Sequence, residues 1–286
     1  MKYNTFVQIF YKHRLLKAKK IRYILLKIFL PLIYIFNLIF DKKIIDLDDY
    51  SQKNQQLFKK DLNYLFEHFN SDKGEKFINQ YQKPIKRTNE KVKGHNYHIF
   101  YENYLSKIKN SYLDILEIGS FRGNASAALY FYLPQSIITC VDLYPDLFLY
   151  KSKRIDNFYL NNSSEKEIEK KILKNEKKYD LVIEDAGHYY KDQIISLFKI
   201  FPKLKPNGIY VVEELDFPDT RLDMNLKNEH PTLKEILLSI KSNKDFHSSL
   251  ISDDEKKFFL SNYNSIEILK GSFNNICFIK RNDTKT

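Results

Sequence analysis

Hydrophobic positions change their rhythm near residue 111. Over residues 46–110 they recur at helical intervals, as at Leu57, Leu62, Leu65, Phe66 and Phe69, among polar neighbours and without a strand-like run. This pattern predicts a helical cap spanning residues 44–110. Beyond it, short apolar runs alternate with helix-compatible stretches, as parallel strands joined by crossover helices do. Strands are expected at 113–118, 137–142, 158–160, 180–185 and 208–213, with helices at 125–132, 165–176, 191–201 and 232–241. Two further runs, 265–269 and 274–280, flank Lys270, Gly271, Ser272 and Phe273 at the spacing of an antiparallel hairpin. The expectation is an α/β domain over residues 111–286, with a seven-stranded, mostly parallel sheet that ends in that hairpin.

The first 43 residues differ from both parts. A basic stretch, residues 12–22, leads into the apolar run YILLKIFLPLIYIFNLIF at 23–40, interrupted by Lys27, Pro31 and Asn37. Its uninterrupted part is shorter than the roughly 20 residues a spanning helix needs. No small-residue cleavage site follows, since Asp41, Lys42 and Lys43 come next, which argues against a signal peptide. Three readings fit: a segment lying on or dipping into an anionic membrane, a true span, or a helix packed on the domain or on a second copy in a homo-oligomer.

Charge sharpens this picture. The 286 residues carry a formal +11, but residues 1–43 hold ten basic residues against Asp41 alone, leaving only +2 for the rest. A nucleic-acid partner is therefore not expected of the nearly neutral body. Cys140 and Cys277 lie in apolar strand-like runs and read as buried reduced thiols, which points to the cytoplasm, including the inner face of the membrane.

The exit of the first strand reads Glu117-Ile118-Gly119-Ser120-Phe121-Arg122-Gly123. Gly119 permits a sharp turn beside a ligand, and Gly123 lets the next helix start close to it. A dinucleotide fingerprint would need glycine where Phe121 and Asn124 stand, so that cradle is absent. Asp142 closes the second strand, where a carboxylate can accept from both ribose hydroxyls. With Lys205-Pro206-Asn207-Gly208 before the fifth strand, these features resemble the class I methyltransferases that use S-adenosylmethionine, over roughly residues 112–281. The resemblance implies a Rossmann-like fold, with Glu117, Gly119, Ser120 and Gly123 around the methionine part. Asp142 would hold the ribose, and the loop Asn161-Asn162-Ser163, Asn162 above all, the adenine.

The fourth strand ends Glu184-Asp185-Ala186-Gly187-His188, and the fifth ends Glu213-Glu214 with Asp216 beyond. Ligands of open α/β sheets bind at those carboxyl ends. Strand alternation sends Glu184 and Asp185 to opposite sides. Clustered carboxylates repel unless a cation sits among them, and oxygen-only donors favour a hard ion such as Mg2+. The nearer resemblance is to metal-dependent sugar O-methyltransferases of macrolide biosynthesis and related bacterial proteins. These also carry an upstream Asp-Lys-Gly and a His-x-Tyr, matched here by Asp72-Lys73-Gly74 and His95-Asn96-Tyr97, with Tyr101 following. This resemblance implies that Asp185, Glu213 and Glu214 hold Mg2+, that His188 is the general base, and that Asp72 and Tyr97 reach the cofactor from the cap. Glu214 stands where the family has aspartate, one methylene longer. The acceptor implied is a sugar hydroxyl of a glycan or glycoside. Another small-molecule hydroxyl, or a non-catalytic module binding cofactor or glycan, are the alternatives. The cap either closes as a lid or is held down by buried polar bonds.

Overall fold

The computed structural model of the chain describes residues 3, 6, 7, 18–39, 44–79 and 90–283. The apolar runs form β1 (Asp114–Ile118), β2 (Ile137–Asp142), β3 (Ile155–Tyr159), β4 (Tyr179–Glu184), β5 (Leu204–Val212), β6 (Tyr263–Lys270) and β7 (Asn275–Arg281). They make one sheet in the order β3-β2-β1-β4-β5-β7-β6. β1 to β5 are parallel, while β7 runs antiparallel to β5 and to β6. The strand order reverses at β1, between β2 and β4, and a crevice opens there outside the carboxyl ends.

α1 (Lys20–Ile39), α2 (Leu47–Lys53), α3 (Leu62–His68) and α4 (His98–Leu105) precede the sheet. α5 (Asn124–Tyr132) follows β1, α6 (Tyr190–Ile200) follows β4, and α7 (Leu233–Lys241) and α8 (Asp253–Asn262) lie between β5 and β6. Both faces of the sheet are covered, so its strands are apolar on both sides. Ile115, Ile138, Leu181 and Val211 share a core with α2 to α5. Leu116, Val182 and Tyr210, one residue out of phase, share a second core with α6, α7 and α8. The cap is thus continuous with one of the two cores of the sheet domain. The packed residues of α1 form a third cluster with Phe6, separate from both.

Local chemistry explains most boundaries. The Asp61 carboxylate accepts from Tyr64 N at 2.7 Å and starts α3, and α7 begins with a capping box of Thr232 and Glu235. Three elements depart from the sequence reading. α8 was not expected, because only Phe259 and Asn262 of its ten residues are buried; its signal is the capping box of Ser252 and Glu255. The helix expected at 165–176 is α-helical only over Glu165–Ile168 and continues as a π-turn, Glu169–Leu173. The cap, read as strand-free, contains a ribbon of Lys76–Ile78 against Lys91–Lys93, too short to leave a periodic run.

Candidate active site

The turn after β1 brings three strand ends together. Gly119 N donates to Val141 O and Asp185 N to Ile118 O, both at 2.8 Å. Gly119 has φ 93°, and a Cβ there would lie 2.0 Å from the carbonyl oxygen of Asp185, so only glycine permits this approach. Gly123 also has positive φ, and a Cβ there would strike the ring of Phe148, so glycine lets α5 start against that ring.

A cleft of about 570 Å³ opens above this junction. One side is bordered by Glu117, Gly119, Ser120, Asp142 and Asn162. Asp142 accepts from Phe121 N at 2.8 Å through Oδ2 and from Tyr144 N at 2.7 Å through Oδ1, which fixes the carboxylate at the rim. Glu117 is buried and receives the Ser126 hydroxyl proton. Burial pushes its carboxyl up to about 7. The Ser120 hydroxyl is buried without a hydrogen-bond partner.

On the other side stand Asp185, His188 and Glu214, joined from the cap by Asp72 and His95. Glu184 turns away, as alternation requires, and accepts from Asn162 Nδ2 at 3.4 Å. His188 Nε2 lies 3.6 Å from Asp185 Oδ1 and 3.5 Å from Glu214 Oε2. His95 Nε2 lies 3.3 Å from Glu214 Oε1. Burial lowers His188 to about 4, so its imidazole is neutral near pH 7 and can accept a proton. Burial and the carboxylates of Asp185 and Glu213 push Glu214 well above the ordinary range. His188 and Glu214 both hold left-handed backbone, φ 53° and 45°. Such conformations cost about 1–3 kcal/mol each and cluster at functional sites.

Lys73 fills the base of this cluster. Its buried ammonium donates to Glu213 Oε2 at 2.6 Å and to Asp185 Oδ2. The Tyr101 hydroxyl donates to Glu213 Oε1 at 2.6 Å. Both Glu213 oxygens are therefore engaged, and Glu213 does not border the cleft. Asp185, His188 and Glu214 instead each offer one ligand atom, all within 4.8 Å of one another. The Lys73 turn is laced to the His95 turn by His95 N to Asp72 O at 2.7 Å and His98 N to Lys73 O at 3.1 Å. These bonds tie two cap segments together, and Lys73 and Tyr101 hold the cap onto the sheet edge through Asp185 and Glu213.

Of the residues singled out from sequence, Gly123, Tyr97 and Glu213 lie outside the cleft wall. Tyr97 lies buried beside His95, rings 5.1 Å apart, and supports that side chain. Sequence reasoning gave no role to Lys73 or His95, although both sit inside the quoted motifs. It also missed Phe217, Arg221 and Met224, which wall the cleft from the segment after β5.

No protein-family model matches the chain, and no curated protein matches it in sequence. Among solved structures, the MycE methyltransferase from the mycinamycin biosynthetic pathway, in complex with Mg and SAH, aligns with a TM-score of 0.57. Identity is 16%, over 78% of this chain and 55% of that one. The fold is that of a class I methyltransferase. MycE in complex with Mg, SAH and mycinamycin VI aligns over the same shares with a TM-score of 0.53. The chain spans about half the length of these neighbours. The crevice at the β1 reversal is bordered by Glu117, Ser120 and Asp142 together with Asp185 and His188.

Proposed function

We propose that this protein is an S-adenosylmethionine-dependent O-methyltransferase acting on a sugar hydroxyl of a glycan or glycoside. The observation that carries the reading is one cleft in which a ribose-type carboxylate, Asp142, and a glycine turn face a buried base and carboxylates, Asp185, His188 and Glu214. The solved complex of MycE with mycinamycin VI, a small molecule, supports a small acceptor.

The acceptor oxygen attacks the sulfonium methyl in line: the C–O bond forms, the S–CH3 bond breaks, and the thioether leaves neutral. His188 Nε2 takes the hydroxyl proton, and the flanking Asp185 carboxylate stabilises the imidazolium. Glu117, Ser120 and Asp142 orient the cofactor, which brings the methyl into line with the acceptor. The carboxylate and imidazole donors also fit a divalent cation. Glu214 Oε2 is buried without a hydrogen-bond partner, and Asp185 and Glu214 would be the oxygen ligands, with His188 in reach. Bound there, Mg2+ or a related ion would polarise the acceptor hydroxyl.

Calorimetry on the purified protein is expected to show S-adenosylmethionine binding, and radiolabelled methyl transfer to glycosides should follow. His188→Ala should lower kcat by about 10² to 10⁴ and leave cofactor affinity unchanged. Absence of cofactor binding at millimolar ligand overturns the reading; unchanged kcat in His188→Ala removes only the base. Cofactor binding without transfer to any hydroxyl would favour a binding module.

A further inference from the structure

We propose that α1 docks this protein on an anionic lipid surface through its uncovered apolar face. α1 has two apolar faces. Tyr23, Leu26, Leu30, Ile33 and Tyr34 pack with Phe6 and Val7 into the cluster that shares no residue with the two body cores. The opposite face carries Ile21, Ile24, Leu25, Ile28, Leu32 and Ile35, each 49–77% exposed. Their spacing of 3, 1, 3, 4 and 3 keeps them in a sector of about 100°. A contiguous stripe of that kind is far from the scattered apolar residues normal on a soluble surface.

Charge identifies the occupant. At about 100° per residue, Arg22 borders one margin of the stripe and Lys20 and Lys27 the other. No acid occurs before Asp41, and residues 1–43 sum to +9. The partner must therefore be apolar along the stripe and anionic on both flanks. A bilayer with acidic headgroups has that layering, because acyl chains take the stripe while the basic side chains reach the phosphates. A second copy would set one +9 arm against another, and nucleic acid offers no apolar counterpart. Among the described residues no helix is long and apolar enough to cross a membrane. Lys27, in the middle third of the helix, agrees with α1 lying in the interface plane.

The full-length protein should float with phosphatidylcholine vesicles containing phosphatidylglycerol, bind vesicles of phosphatidylcholine alone at least about tenfold more weakly, and be released by added salt. Ile28→Glu with Leu32→Glu should weaken vesicle binding about tenfold or more, with helical circular dichroism and cofactor affinity unchanged. Lys20→Glu with Arg22→Glu, which leaves the stripe intact, should abolish the preference for anionic vesicles. The proposal is overturned if the parent protein does not float, or if both variants float as it does. It is equally overturned if light scattering shows a dimer that Ile28→Glu with Leu32→Glu dissociates without vesicle binding by the parent. Cofactor affinity is read separately, so loss of docking and failure of the methyltransferase reading give different results.

Discussion

Lys73 carries a positive charge from the cap into the acidic edge of the sheet, where the half-buried Asp185 and the buried Glu213 would otherwise be two carboxylates without a counter-charge. Those carboxylates push its ammonium well above the ordinary lysine range despite its burial. A raised lysine contributes stability that is fully present below its unfolded value near 10.5 and is lost only as pH climbs through the folded one. Lys73→Met is expected to cost about 3–5 kcal/mol in urea unfolding at pH 7, because it leaves buried charge uncompensated. Adding Glu213→Gln should return part of that, and simple additivity in the double-mutant cycle would contradict the pairing. Glu117 follows the same sign in a lower pH range. Its carboxyl is raised from 4.5 to about 7, so its proton stabilises the ligand-free fold below pH 4.5, and that contribution fades as pH rises through 7. The shift corresponds to about 3 kcal/mol, and Glu117→Gln should remove that much of the stability lost between pH 4 and 8, measured by chemical unfolding. Asp185, His188 and Glu214 could be picked out from residue type at strand ends alone. The partner of Lys73 could not, since Asp185 lies 112 positions away and nothing local marks the pairing.

Among the elements, the glycine turn after β1 sets how close three strand ends can come. Gly119→Ala would place a methyl against the carbonyl of Asp185 and force a non-glycine residue to φ 93°. The left-handed conformation alone costs about 1–2 kcal/mol, and the backbone clash adds to it. Cofactor affinity by calorimetry should fall at least about tenfold, with a lower Tm; wild-type affinity would mean that the turn does not shape the cofactor side. The central strands were legible because they are short apolar runs bounded by polar residues, and β2 begins and ends where its run does, whereas β3, expected at 158–160, starts at Ile155 because Asp156 and Asn157 break its apolar pattern. β5 begins four residues earlier than its apolar run, since Lys205, Pro206 and Asn207 extend the strand without adding hydrophobic pattern. α8 escaped for a related reason: a helix with few buried positions has almost no periodicity, and only its capping box speaks for it.

Over the whole molecule, charge and hydrophobicity are sorted by segment. The cap and both sides of the sheet share two cores, and the arm keeps a small core of its own. That separation is what sequence composition already hinted at, with +9 in the first 43 residues and +2 in all the others. Composition says nothing of which face of the arm's apolar run is packed: in α1 one face meets Phe6 and Val7, and Ile21, Ile24, Leu25, Ile28, Leu32 and Ile35 on the other are exposed. A protein held by such a face no longer samples the volume of the cell. Its cleft sweeps a plane, where encounter depends on lateral diffusion and on the number of acceptors per unit area. A sugar carried on a lipid shares that plane and is met at high effective concentration, whereas a freely dissolved glycoside gains nothing from the anchoring. The bare face of α1 thereby bears on which acceptors the cleft meets, without touching any of them.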